Sequence, residues 1–193
     1  MRSKKLQNLI EVQSGYRTRH KVMEDPFGTH RLLQSRDIQD SLINWQEALC
    51  FNPEGDPKRY LIQPQDILFT ARGYKNIAYY VPDVPDNLLA SSSFYIIRVT
   101  SLLIVPGFLG WWLNQAKAQA FFAQFQVRSG FIYMSKKNLN QLQVPLPKLD
   151  TQKRIAELQR LRLKEQSLVK EINQRKAQLI KSVCLSALSK KEG

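Results

Sequence analysis

The sequence predicts an α+β chain: a mixed, small-stranded domain followed by one long C-terminal helix. Two observations carry this. Short β-rich apolar runs alternate with turn signals as far as the segment Val144-Pro145-Leu146-Pro147. Beyond it, nearly forty residues contain no glycine or proline and repeat apolar side chains at steps of three and four. The expected organisation is therefore residues 1–147 as one domain and 148–193 as the helix and its flanks.

Turn signals recur at Ser14-Gly15, Pro53-Glu54-Gly55-Asp56-Pro57, Pro82-Asp83, Pro85-Asp86 and Ser129-Gly130. Between them, Tyr60-Leu61-Ile62, Ile67-Leu68-Phe69 and Ile77-Ala78-Tyr79-Tyr80-Val81 read as strands. Phe94 to Leu113 approaches the length of a membrane span, but Arg98 and Pro106-Gly107 interrupt it. A strand, a turn and a helix opened by Pro106 fit better, and no membrane association is expected. Gly110 to Phe125 reads as an aromatic-rich helix, with Trp112, Ala116, Ala120 and Ala123 available for one face. Trp111, Trp112, Phe121 and Phe122 are expected in the core rather than on a stacking platform. The two prolines at 145 and 147 stop the preceding strand, and Asp150 or Thr151 is the expected N-cap of the long helix. Along it, Leu158, Leu161, Leu168, Ile172, Leu179 and Val183 mark a coiled-coil seam that Glu165 and Arg175 interrupt. A lone helix cannot bury such a seam, so a partner helix is expected.

The chain carries 29 basic and 16 acidic residues in 193, a net charge of +13. Residues 151–193 hold 11 basic and 4 acidic groups, so the excess is spread over both parts. A folded chain this basic calls for a polyanion, with nucleic acid first among the candidates. The two cysteines, Cys50 and Cys184, form no CxxC and indicate neither a disulfide framework nor a zinc site. Met1 to Lys5 is charged and no unbroken apolar stretch follows, so no signal peptide is expected and the cytoplasm is the natural compartment.

Chemistry-bearing motifs are sparse. His20 and His30 are the only histidines, and neither belongs to HExxH or to zinc-ligand spacing. There is no phosphate-binding glycine loop, no GxGxxG and no GxSxG. Asn52-Pro53-Glu54-Gly55 lacks the second proline and the aromatic residue that an adenine methyltransferase uses, and reads as a turn. Catalysis, cofactors and metals are not expected.

Basic turns are plentiful by comparison. Pro64 to Gly73 reads as a strand, Ile67-Leu68-Phe69, that delivers Arg72 on a glycine turn. An arginine on a rigid support suits a guanine edge or a phosphate. Arg72, Gly73, Tyr74 and Lys75 combine a base-edge donor, a turn, a ring and a phosphate contact. Tyr16, Arg17, Arg19, His20 and Lys21 place similar groups beside Gly15, and Arg128-Ser129 and Lys136-Lys137 add two further basic turns. Arg72 and Arg17 are the expected base or adjacent phosphate contacts, and the lysines with Arg19 and Arg128 the backbone contacts. Double-stranded DNA is the expected ligand. The competing class is a basic coiled-coil scaffold that binds protein without sequence-specific DNA binding.

In their order these pieces resemble the DNA-specificity subunit of type I restriction–modification systems. The resemblance rests on Ser14-Gly15-Tyr16-Arg17, on Gln65-Asp66-Ile67-Leu68-Phe69 leading to Ala71-Arg72-Gly73, and on Ala90-Ser91-Ser92-Ser93-Phe94. It continues through Phe108-Leu109-Gly110-Trp111-Trp112-Leu113-Asn114, Ser129-Gly130, Leu142-Gln143-Val144-Pro145-Leu146-Pro147 and Gln152-Lys153-Arg154-Ile155. The family often has glycine where Gln65 stands. The resemblance implies a target-recognition domain followed by a conserved spacer helix, where family members usually hold two such units in tandem. It further implies a half-length, non-catalytic subunit that pairs with a copy of itself or with another half. Its implied partners are a DNA methyltransferase subunit and, through it, a restriction and motor subunit.

Overall fold

The structure, a computed structural model, describes residues 2–18, 20, 22–39, 42–125 and 132–189. Among these the strands are β1 (Ser3–Lys5), β2 (Ile10–Ser14), β3 (His30–Leu33), β4 (Ile38–Gln39), β5 (Leu42–Ile43), β6 (Leu49–Phe51) and β7 (Ile67–Thr70). They continue with β8 (Arg72–Gly73), β9 (Ala78–Tyr80), β10 (Leu88–Ala90), β11 (Phe94–Val99), β12 (Ile132–Tyr133) and β13 (Gln143–Pro145). The helices are α1 (Pro106–Leu113), α2 (Ala116–Ala123), α3 (Lys136–Leu139) and α4 (Leu149–Ser189).

The longest strand, β11, organises the rest. It pairs antiparallel with both β2 and β7, and β9 adds to the outer edge of β7. A second sheet has the order β10-β3-β6, and its β10–β3 pair is parallel. The first strand is tied in by β13, with Leu146 donating to the Arg2 carbonyl. Ile67, Phe69 and Ile97 of the central sheet pack with Phe108, Leu109, Leu113 and Phe122 of the helices into the main core. The alternate residues Leu68, Phe94 and Ile96 meet Leu33, Leu88 and Ala90 of the second sheet. One strand thus serves two cores, because successive side chains point to opposite faces.

Several sequence expectations are met locally and others are not. Phe94 to Leu113 is a strand, a turn and a helix with Pro106 at its first position, and no described helix is long and apolar enough to cross a membrane. Tyr60-Leu61-Ile62 is not a strand. Lys58–Tyr60 form a 3-10 turn, and Leu61 makes a single bridge to Leu89. The expected helix over 110–125 is two helices, broken at Asn114-Gln115. Asn114 explains the break: its side chain accepts from Ala78 N–H at 2.9 Å and donates to the Ala78 carbonyl at 2.7 Å, which ties this point to β9. The buried face of the pair is Phe108, Leu109 and Leu113, then Ala118 and Phe122, rather than Trp112, Ala116, Ala120 and Ala123. The long helix begins at Leu149, just ahead of Asp150 and Thr151.

Asp66 shows how the turn before β7 is held. It is 1% exposed and accepts from Nε and Nη2 of the Arg98 guanidinium, each at 2.8 Å, while Gln63 N–H donates to its Oδ2. Hydrogen bonding to Asp66 raises the Arg98 pKa and keeps the guanidinium charged. Gln65, which stands where the resemblance implies a glycine, adopts a left-handed φ of +72°. The turn survives without the glycine, at a conformational cost that glycine would avoid.

Candidate nucleic-acid interface

The strands β2 and β7 both run against β11, so both end where β11 begins. That geometry brings two distant basic segments to one end of the sheet. Past β2, Gly15 N–H donates to the Phe94 carbonyl and Tyr16 N–H to the Ala90 carbonyl; past β7, Ala71 N–H donates to the Ser93 carbonyl. Both segments lean on the Ser91–Ser93 turn, and Arg17 and Arg72 follow directly as exposed residues. A Cβ on Gly15 would lie 2.1 Å from the Ser91 oxygen, so close approach of two backbones requires glycine there.

Arg72 sits on a braced support. Its two-residue strand β8 pairs antiparallel with β12, setting Arg72 opposite Tyr133, and Met134 N–H donates to the Ala71 carbonyl at 2.9 Å. Gly73 takes a φ of +143° that other residues rarely adopt. The far side of the loop is fixed by buried Asn76, whose side chain donates to the Thr70 carbonyl and whose own carbonyl accepts from Gln119. Thr70 Oγ1 donates to the Lys75 carbonyl at 3.0 Å and accepts from Ile77 N–H. Tyr74 and Lys75 occupy the exposed tip between these anchors.

Four side chains then form a column. The Arg72 guanidinium lies over the Tyr133 ring, 5.0 Å from its centroid, and Tyr133 hydrogen-bonds the buried Tyr95 phenol. Lys136 Nζ lies 5.7 Å from the Tyr95 ring centroid. Burial first, then Tyr133, pushes the Tyr95 phenol up to about 12. Ser135 caps α3 by accepting from Asn138 N–H, which holds half-buried Lys136 and exposed Lys137 at the start of that short helix.

One expectation is revised by these contacts. Tyr16 is no exposed ring: it is 6% exposed, packs against Phe51 and Tyr60, and its hydroxyl donates to the Glu54 carbonyl and accepts from Glu54 N–H. Its ring belongs to the core, and its neighbour Arg17 is exposed. His20 is exposed and lines a depression together with Asp25 and Glu54. Arg19, Lys21, Arg128 and Ser129 lie outside the described residues. Sequence reasoning missed Tyr95 and Tyr133. The alternation in Ile132-Tyr133-Met134 was a signal for a strand, but nothing local identified β8 as its partner.

The long helix joins at the opposite end of β11. Gln152, fully buried, accepts from Val105 N–H at 2.9 Å and donates to the carbonyls of Leu103 at 3.0 Å and Pro147 at 2.9 Å. Gly107 leaves room for Ala156. The helix turns Gln152, Ala156, Gln159 and Leu163 toward the globular part. Its other side carries Leu158, Leu161, Leu168, Ile172, Leu179 and Val183, which are 48–67% exposed.

A family model described as "Type I restriction modification DNA specificity domain" matches residues 33–178. The chain belongs to that family. Among solved structures, this specificity-domain chain is similar to the type I restriction–modification S subunit from M. genitalium, with 14% identity and a TM-score of 0.59 over 90% of this chain and 42% of that one. It is likewise similar to the HsdS subunit from Thermoanaerobacter tengcongensis, with 17% identity and a TM-score of 0.57 over 88% and 39%. A third match, from a structure concerned with complex assembly and conformational transition of the type I R-M system, has 16% identity and a TM-score of 0.60 over 86% and 39%. The specificity-domain chain spans about two fifths of the length of these proteins, and the likeness is one of fold. No curated protein matches it.

Proposed function

We propose that this chain is a non-catalytic, sequence-specific DNA-binding subunit that acts as one half of a pair and directs a type I methyltransferase and restriction complex to a bipartite site. The observation that carries the reading is that Arg17 and Arg72 both follow strands ending at the Ser91–Ser93 turn, with Lys136 near the Tyr95 ring, in a family defined by DNA specificity. Arg72 and Arg17 contact bases or adjacent phosphates, and Lys75, Lys136 and Lys137 contact the backbone. Arg19, His20, Lys21, Arg128 and Ser129 are assigned as further DNA contacts on the sequence alone, and of these only His20 is among the described residues.

Pairing runs through α4. Its seam reads nearly the same from both directions about position 170: in an antiparallel pair Leu161 meets Leu179, Leu168 meets Ile172, and Glu165 meets Arg175 of the second copy. Opposite charges then face each other where the apolar seam is interrupted. Isologous pairing would present two identical recognition ends and predicts an interrupted palindrome as the target.

The test is a single-molecule map of adenine methylation in the host genome with and without this gene. Loss of one bipartite motif on deletion is the expected result, and symmetric half-sites would support the pair of identical units. A chain that binds no duplex at low salt, yet retains protein partners through α4, would replace this reading with the scaffold one.

A further inference from the structure

The column built on Arg72 has a more specific meaning than a basic patch. A guanidinium that only neutralises phosphate needs no ring beneath it and works through many side-chain conformations. Here the strand pair β8–β12 fixes Arg72 opposite Tyr133, and the Arg72 group lies over the Tyr133 ring. Tyr133 is itself anchored, since its phenol is bonded to Tyr95, which is buried in the central sheet between β2 and β7. A ring against the exposed guanidinium narrows the conformations that it can adopt while leaving N–H donors free for a ligand. A fixed fork matches a pair of acceptors held at fixed spacing, and the O6 and N7 atoms of guanine in the major groove are such a pair. Lys136 near the Tyr95 ring and Lys75 at the loop tip supply point charges suited to the flanking phosphates.

From this geometry we infer that Arg72 reads a guanine edge of the half-site, and that Tyr133, braced by Tyr95, is the positioning residue that makes the readout specific. The inference rests on the DNA-specificity reading above and deepens it. Tyr133 contacts no base; it restricts Arg72 to the conformation in which both donors reach one base.

The experiment uses the full chain and a duplex selected by the wild-type protein from a randomised library, compared with the same duplex scrambled. The ratio of the two affinities is measured by fluorescence anisotropy at fixed salt, since salt alone changes both. Arg72→Ala and Tyr133→Thr are expected to lower that ratio about 10–100-fold, the discrimination of one bidentate contact. Threonine keeps the β propensity of the half-exposed strand position without the ring. Tyr133→Phe keeps the ring but loses the phenol bond that braces it, and its ratio is expected to fall between those of wild type and Tyr133→Thr. Replacing one guanine of the selected site by 7-deazaguanine is expected to weaken wild-type binding about tenfold and to leave Arg72→Ala unaffected.

Equal loss of selected and scrambled binding in Arg72→Ala would make Arg72 a phosphate contact and overturn the inference. An unchanged ratio in a folded Tyr133→Thr protein would remove Tyr133 from the readout. Failure of wild type to enrich any sequence would instead sink the DNA-specificity reading itself, a separate outcome.

Discussion

Removing the Gln152 side chain tests whether the joint between the globular part and the long helix is a built contact or an incidental one. Gln152 is fully buried and holds three backbone groups: the Val105 N–H and the carbonyls of Leu103 and Pro147. A typical hydrogen bond contributes about 1 kcal/mol net, and a buried partner left unpaired costs about 1–3 kcal/mol. Water entering the gap in Gln152→Ala would re-satisfy part of this, so the expected loss is about 3 kcal/mol. Urea denaturation followed by circular dichroism measures it, with an unchanged slope showing that only stability has moved. Gln152→Glu sharpens the test. The carboxylate can still accept from Val105, but it turns a negative charge toward two carbonyl oxygens and offers no donor. It should cost at least as much as alanine at pH 7 and recover partly on acidification, when the protonated acid can donate once. A loss below about 1 kcal/mol for alanine, or a glutamate variant as stable as wild type, would refute the account of the joint.

Other outcomes follow from single features. Gln65→Gly should stabilise the protein by about 0.5–1 kcal/mol, a rise of a few degrees in Tm, because φ of +72° is strained for glutamine and free for glycine; no gain would mean that the turn carries no strain. The Tyr95 phenol, held at about 12 in the fold against about 10 in an unfolded chain, keeps its proton longer when folded. Its contribution is complete below pH 10 and is lost as pH rises from 10 through 12, by on the order of 2 kcal/mol. The alkaline fall in stability should therefore be shallower in Tyr95→Phe, and identical slopes would contradict the assignment. Leu168→Glu removes two apolar contacts from an antiparallel pair, each of about 2 kcal/mol, and should raise the dimer Kd about 10³-fold by sedimentation equilibrium. A dimer of unchanged affinity would place the pairing surface elsewhere.

What could be read in the sequence was what neighbours in the chain decide. The run Ile67-Leu68-Phe69 announced a strand, Gly73 its special backbone, and the absence of glycine and proline after Pro147 announced α4. The seam was legible because its spacing is intrinsic to a helix. Tyr16 was misjudged because Gly15 was taken as a turn, whereas the glycine makes room for the Ser91 carbonyl from a distant segment. The helix break at Asn114 depends on hydrogen bonds to Ala78, and the burial of Gln152 on the loop 103–105. Tyr133 escaped notice for the same reason: a two-residue strand acquires meaning only from its partner β8. Each miss is a contact between residues far apart in sequence, which neither periodicity nor propensity encodes.

The strand β11 begins among the residues of the proposed recognition end and finishes at the loop that Gln152 grips, about 20 Å away at 3.3 Å per residue. Those two ends share a sheet but no side chains. Substitutions at Arg17, Arg72, Tyr133 or Lys136 can accumulate without disturbing the joint to α4, and the helix can adjust its own partners without moving the loops. Such a layout allows inheritance of a new target by exchange of one extremity while the assembly interface persists. Under the proposed function, the choice of target and the formation of the complex would then be free to vary independently.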